Sequence, residues 1–316
     1  MYRILSTVSS IPVEKVAGDF QEFDIDVHGG MNRDELLEKL DLYDGIIAAD
    51  IIRYDEEIFE KAEKLKVISR YGVGVDNVDI VAANEIGVTV TNVPGENSES
   101  VAEHTIGLMI AASKNFAYAD RKMREGDWSR DYGLGHEMAN KTLGQVGFGN
   151  IGKLVARKGR SAFNMDVLVY DPYVPEFEIK NMAFGERREL DSLLEDSDVV
   201  SLNVPATEET RNLFDKDKFK KMKKSAIFVN TGRGEVVVES DLAEALDKGE
   251  IFAAGLDVLR KEPATLENPL LENDRTVLTP HSASTTPEAN ERVLRAVLRD
   301  QKAVFEGREP VGLQKP

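Results

Sequence analysis

"TLGQVGFGNIGKLVARKG", residues 142–159, decides the fold class of this 316-residue chain. An apolar strand pattern runs into it and a helix pattern runs out. Between them Gly147, Gly149 and Gly152 keep the G-x-G-x-x-G spacing. Each glycine answers a separate physical demand of a bound dinucleotide. Gly147 permits the tight turn, Gly149 lets a pyrophosphate approach the backbone, and Gly152 lets the helix pack on the strand. The helix N-terminus then offers amide donors and a partial positive charge. The next strand pattern, "DVLVYDPY", ends in Asp171, 171 − 152 = 19 residues after the last glycine. That is the place of a carboxylate that binds the adenosine ribose hydroxyls. An aspartate there repels a 2′-phosphate, and no arginine follows in "DPYVPE" to receive one. NAD is the expected cofactor, rather than NADP.

Outward from this turn, short apolar runs alternate with helical patterns, which predicts an α/β fold with parallel sheets. Upstream, "YRILST", "DGIIAA", "KVISR" and "VTVT" read as strands. Residues 32–40 and 55–65 read as helices, and 96–115 as a long, mostly apolar helix with Asn97 and Ser98 as caps. Downstream, "DVVSLNV", "SAIFVNT", "AAGLDV" and "TVLTP" read as strands, and 286–307 as a closing helix. Two doubly wound units joined near residue 100 account for the pattern. The lysine-rich run "DKDKFKKMKKS" reads as a solvated helix face before a buried strand.

Composition excludes several classes of function. A hydrophobic share of 41% and a charged share of 31% describe a globular chain. No apolar run approaches the roughly 20 residues that cross a bilayer, and "MYRILSTVSS" reads as a first strand, not a signal peptide. The absence of cysteine excludes disulfides, thiolate metal sites and a thiol nucleophile, and it suits the cytoplasm. A net charge of −17 argues against nucleic acid as a partner.

Three chemically complementary residues fall at strand ends in the second unit: Arg233 after "AIFVNTG", Glu262 after "AAGLDVLRK" and His281 after "TVLTP". Ligands of open parallel sheets bind at the carboxyl ends of strands. Singly, the three suit an ion pair, a turn carboxylate and a helix cap. Together they are what reversible reduction of a 2-oxo acid requires. A guanidinium holds a carboxylate through two parallel hydrogen bonds. A histidine gives or takes the proton at the carbonyl oxygen, and a carboxylate beside it raises its pKa. His28, His104 and His136 lack this setting, and His104 is expected simply to pack along the long helix. Gln145, polar within the strand before the glycine turn, has no evident role.

The ordered set "GVGVDNVD", "VAEHTIGLM", "LGQVGFGNIG", "VYDP", "NTGRGEVV", "GLDVLRKEP" and "PHSAST" resembles the D-isomer-specific 2-hydroxyacid dehydrogenases across about residues 45–305. The resemblance implies a Rossmann cofactor domain, residues 99–284, inserted into a flavodoxin-like substrate domain, residues 1–98 and 285–316. It also implies an interdomain cleft and a homodimer. It assigns Arg233 to the substrate carboxylate, His281 to acid/base work and Glu262 to its partner. By the same resemblance, Asn150 and Ile151 lie on the pyrophosphate turn, Asp257 lies near the nicotinamide carboxamide, and Thr231, Gly232 and Ala283 line the nicotinamide pocket. Backbone amides around Val73 and Gly74 would face the substrate, and Arg70 matches an arginine the family keeps. Formate dehydrogenases carry glutamine where this chain has Glu262. "NTGRG" and "PHSAST" depart from the more frequent "NTARG" and "PHIAG" but keep the charged triad. Phosphoglycerate dehydrogenases typically carry an arginine where Ala49 stands, before Asp50, so a small unphosphorylated acid such as hydroxypyruvate or glyoxylate is the expected substrate. "RYGVGVDNVD" and "NVPGENSESVAEHT" also resemble dinucleotide-sensing corepressors of the C-terminal-binding type. Those proteins usually carry long flexible tails, whereas only about "GLQKP" follows the last motifs, so the corepressor is the alternative reading.

Overall fold

The computed structural model describes residues 1–182 and 184–316, which form two compact units. The first comprises Met1–Asn97 and Thr285–Pro316, and the second comprises Ser98–Ser284. In sequence, the second is therefore an insertion within the first.

The first unit holds five strands: β1 (Tyr2–Ser6), β2 (Phe23–Val27), β3 (Gly45–Ala48), β4 (Val67–Arg70) and β5 (Thr89–Thr91). All pair in parallel, in the order β2-β1-β3-β4-β5, a flavodoxin-like sheet. Residues Ile46, Ile47, Val67 and Ile68 are all fully buried, because helices cover both faces and successive side chains meet apolar neighbours on either side. The closing helix, Pro287–Phe305, starts at Thr286, whose hydroxyl accepts the Ala289 N–H at 3.1 Å. It packs Val293, Leu294 and Val297 into one cluster with Ile4 and Ile47. β2 does not stand out in the sequence, because "FDIDV" puts two aspartates in an edge strand that is mostly not buried.

The second unit holds β6 (Thr142–Val146), β7 (Asp166–Tyr170), β8 (Gly185–Arg187), β9 (Val199–Leu202), β10 (Ile227–Asn230), β11 (Ala253–Leu256) and β12 (Thr276–Leu278). They form one parallel sheet in the order β12-β11-β10-β9-β6-β7-β8, a Rossmann arrangement. Strand order reverses between β6 and β9, so the crevice for a ligand opens at the carboxyl end of β6. Helix Ser98–Ser113 packs against β10 and β11. The lysine-rich run forms helix Lys216–Lys221, with Phe219 fully buried and Lys216 and Lys220 exposed. Among the described residues no helix is long and apolar enough to cross a membrane.

Candidate active site

The glycine turn follows β6 at the point of strand reversal. Gly147 has φ of +86°, and a Cβ there would lie 2.4 Å from the Asn203 carbonyl oxygen. A Cβ on Gly152 would lie 2.1 Å from the Gly147 oxygen. Both positions exclude any side chain, one for conformation and one for close approach. Around Gly149 the space is open. This residue caps helix Asn150–Phe163 without a side-chain bond, and Asn150 and Ile151 begin the helix. An uncapped helix start behind a glycine is a seat for a pyrophosphate.

Asp171 stands directly after β7, beside the turn. Its Oδ2 accepts the Phe148 N–H at 2.8 Å, and its Oδ1 accepts the N–H groups of Tyr173 at 2.9 Å and Val174 at 3.2 Å. Arg187 of β8 donates to the carbonyls of Asp171 and Val174, each at 3.0 Å, and so fixes the loop that carries the carboxylate. The turn, the open helix start and the strand-end carboxylate together fit a dinucleotide.

Gln145 acquires a role from this geometry. Its side chain is fully buried, and its Nε2 donates to the Gly147 carbonyl at 3.0 Å and to Asn203 Oδ1 at 3.1 Å. Asn203 Nδ2 donates to Thr231 Oγ1 at 2.8 Å, and Thr231 Oγ1 lies 2.8 Å from Thr105 Oγ1. A buried polar chain therefore ties the glycine turn to the end of β10, where Thr231 and Gly232 sit. The donors of this chain are engaged, whereas Gln145 Oε1 is buried without a partner among the described residues.

Arg233, Glu262 and His281 follow β10, β11 and β12 and line one pocket with Gly234, Val258 and Leu259. Asn230 clamps the arginine turn from both sides: its Nδ2 donates to the Arg233 carbonyl at 2.9 Å and its Oδ1 accepts the Gly232 N–H at 2.9 Å. A Cβ on Gly234 would lie 2.0 Å from the Leu259 carbonyl carbon, so the turn packs directly on the segment leading to Glu262. His281 Nδ1 lies 2.6 Å from Glu262 Oε2, and Glu262 Oε1 accepts the Leu259 N–H at 2.9 Å. The bond from Glu262 raises the His281 pKa above its ordinary value. Burial opposes this, the charges of Glu262 and Asp257 add to it, and Arg233 lowers it. At Glu262 burial pushes the carboxyl up, but the bonds from His281 and Leu259 and the charges of His281 and Arg233 hold it below the ordinary value. A paired carboxylate and imidazole leave Nε2 as the nitrogen for proton exchange.

His281 has a left-handed backbone, φ 50°, unusual for a residue other than glycine. Asp257, whose side chain is 1% exposed, holds the surrounding loop. Its Oδ1 accepts from the Thr279 hydroxyl at 2.6 Å and the Ser282 N–H at 2.9 Å, and its Oδ2 accepts the Ala283 N–H at 2.9 Å. Its carbonyl accepts the His281 N–H at 2.8 Å. Behind this loop stands His104, with Nε2 at 2.9 Å from Thr279 Oγ1. The expectation that His104 only packs along its helix is thus corrected: it bonds to the loop that carries His281.

Arg70, Val73 and Gly74 stand in the first unit, at the carboxyl end of β4 and the loop after it. Arg70 Nη1 donates to the carbonyls of Tyr71 at 3.0 Å and Ala48 at 3.4 Å, and Nη2 lies 3.4 Å from Asp50 Oδ2. Asn92 Nδ2 donates to the Val73 carbonyl at 2.7 Å, which fixes that loop.

A Rossmann sheet with a glycine turn at its switch point defines a dinucleotide-binding α/β protein. The chain belongs to the D-isomer specific 2-hydroxyacid dehydrogenase family, and residues 106–283 match the family's NAD binding domain. It is 41% identical over 292 residues to the D-3-phosphoglycerate dehydrogenase of Archaeoglobus fulgidus, covering 92% of this chain and 55% of that protein. The chain thus spans about half the length of that relative. It is 40% identical over 265 residues to the hydroxypyruvate reductase of Thermotoga maritima, covering 83% of this chain and 85% of that one. The solved D-lactate dehydrogenase of Aquifex aeolicus, complexed with NAD and lactic acid, superposes with a TM-score of 0.83 at 28% identity over 96% of each chain.

Proposed function

We propose that this chain interconverts a small 2-oxo acid and the corresponding D-2-hydroxy acid, with NAD as hydride carrier. The observation that carries this reading is the 2.6 Å pairing of His281 with Glu262 in a pocket that Arg233 also lines. In this reading residues 99–284 serve the cofactor, and residues 1–98 with 285–316 serve the substrate. When bound, the nicotinamide supplies or accepts the hydride. Arg233 holds the substrate carboxylate through its planar fork. His281, protonated, gives its Nε2 proton to the carbonyl oxygen during reduction and takes it back in the reverse direction. Glu262 fixes the imidazole through Nδ1 and stabilises its charged form. Gly147, Gly149, Asn150, Ile151 and Gly152 seat the pyrophosphate, and Asp171 takes the ribose hydroxyls. Thr231, Gly232, Asp257 and Ala283 flank the nicotinamide, and the amides around Val73 and Gly74 are assigned to substrate binding. A homodimer belongs to the same proposal, supported by exposed Phe116, Met123, Trp128 and Leu134 gathered on one segment. NADH oxidation across a panel of 2-oxo acids tests the activity. Tight NADH binding with no turnover on any acid would turn the reading toward a dinucleotide-sensing binding protein.

Two variants separate the assigned roles. Glu262→Gln removes the chief cause of the raised His281 pKa. Reduction needs the imidazolium, so the alkaline limb of its pH–rate profile moves to lower pH. Oxidation needs the neutral ring and extends to lower pH as well. A profile that stays in place removes Glu262 from the pair. Asp171→Ala weakens NADH binding by about tenfold or more, the scale of a lost charged hydrogen bond, and narrows the preference over NADPH by removing repulsion of the 2′-phosphate. An unaltered ratio of NADH to NADPH KM values refutes the ribose role.

The substrate reading rests on the loop after β3. The relatives do not separate the candidates, since 41% identity to a phosphoglycerate dehydrogenase and 40% to a hydroxypyruvate reductase are equivalent. Ala49 stands where a phosphate-binding arginine is expected, and exposed Asp50 follows it with charge of the wrong sign. Arg70 is 12% exposed and already engages two carbonyls and Asp50. A phosphate normally meets several donors or cations, and loss of one charged bond costs about 1–3 kcal/mol. Hydroxypyruvate or glyoxylate is therefore the better substrate by kcat/KM than phosphohydroxypyruvate, compared at one pH. A tenfold or greater preference for the phosphorylated acid overturns this and assigns the phosphate to Arg70 or to Arg53, an exposed cation in the segment after Asp50.

A further inference from the structure

His104 lies on helix Ser98–Ser113, 175 residues before its partner Thr279. Its ring Nε2 is 2.9 Å from Thr279 Oγ1 and 3.4 Å from Asp257 Oδ1. The direction of these bonds follows from counting protons. A carboxylate only accepts, so the Thr279 hydroxyl spends its one proton on Asp257 Oδ1, 2.6 Å away. That hydroxyl can then only accept from the imidazole. His104 Nε2 consequently carries a hydrogen and donates it to Thr279.

The relay ends on a strained element. Asp257 receives Thr279, Ser282 and Ala283, residues that flank His281 on both sides, and its backbone carbonyl receives the His281 N–H. His281 itself sits at φ 50°, a conformation that persists only where the surroundings over-determine it. His104 bonds to this loop from helix Ser98–Ser113 and not from the sheet edge.

We propose that His104 is a positioning residue for proton transfer: its Nε2–H, passed through the Thr279 hydroxyl to Asp257, locks the left-handed turn that aims His281 at Glu262. The role rests on the reading of His281 as acid and base. Glu262 and Asp257 favour the charged form of His281, and Arg233 opposes it. A loosened turn lets the imidazole swing away from Glu262, the strongest of the influences that favour its protonated form.

The chain has four histidines, so imidazole nitrogen NMR resolves His281 directly, assigned by the peak lost in His281→Asn. The titration of His281 is compared in wild type, His104→Gln and His104→Phe, each checked for fold by circular dichroism. Glutamine keeps an N–H donor near the place of Nε2, whereas phenylalanine keeps a ring without a donor. His104→Phe moves the His281 midpoint to lower pH and lowers kcat by about tenfold or more, the cost of a misaimed reacting group, with KM for NADH changing by about twofold or less. His104→Gln restores both toward wild type. If His104→Phe does not fold, Thr279→Val takes its place, and Thr279→Ser is the rescue. A His281 titration that is the same in the donor-lacking variants as in wild type overturns the proposal, as does an equal shift in the variant and its rescue. The NMR arm needs no turnover, so inactivity of the wild type on every 2-oxo acid counts against the proposed reaction and leaves this test standing.

Discussion

His281→Asn lowers kcat for 2-oxo acid reduction by about 10²–10⁴, the loss expected when a general acid is removed, while NADH binding stays near wild type. Asparagine is the informative replacement for two reasons. It tolerates the left-handed backbone at this position, φ 50° in the native residue, better than alanine or leucine does. Its side-chain amide also reaches the place of Nδ1 and can keep a hydrogen bond to Glu262, which otherwise loses a partner now at 2.6 Å. What it lacks is Nε2. The loss of rate then reports proton transfer and not collapse of the loop. Steady-state reduction from pH 5 to 9, with NADH affinity from fluorescence titration, makes the measurement. Turnover near wild type across that range would eliminate His281 as the acid.

The parts of this molecule that were legible in sequence are those whose physics is local. The glycine turn and Asp171 are separated by one helix and one strand, so spacing alone brings them together, and the Phe148–Asp171 hydrogen bond at 2.8 Å closes that unit. Arg233, Glu262 and His281 were legible because each follows a recognisable strand pattern, fully buried in β10 and β11 and partly buried in β12, and parallel strands bring their carboxyl ends to one edge. β2 and β8 were not legible. "FDIDV" alternates aspartate with apolar residues on an edge, and "GER" is three residues without a buried side chain. Gln145 and His104 escaped for another reason. Their side-chain partners, Asn203 and Thr279, lie 58 and 175 residues away, and no periodicity in the chain records which side chain a helix or strand will meet across a sheet.

Arg233→Gln lowers kcat/KM for the 2-oxo acid by about 10²–10⁴, because two charged hydrogen bonds to a carboxylate are lost together. The arginine turn is well fixed, since Asn230 holds it on both sides and Gly234 packs directly on Leu259. The guanidinium is itself held, because Arg233 Nη1 donates to the Gly232 carbonyl at 2.9 Å, so it loses less freedom when it binds a planar acid. Arg233→Lys keeps the charge without the fork and falls between wild type and glutamine. The cation has a second, electrostatic effect with a definite sign. Arg233 opposes the protonation of His281, so its removal raises the His281 pKa further above the ordinary value. The alkaline limb of reduction consequently moves to higher pH in Arg233→Gln, opposite to its movement in Glu262→Gln. Opposite shifts in two variants around one imidazole cannot arise from a general loosening of the fold, which would move both in the same direction. Profiles of kcat/KM against pH for the two variants, with KM for NADH measured alongside, make the comparison. If Arg233→Gln stays within tenfold of wild type on its best 2-oxo acid, the carboxylate is held elsewhere and the arrangement of the pocket has to be redrawn.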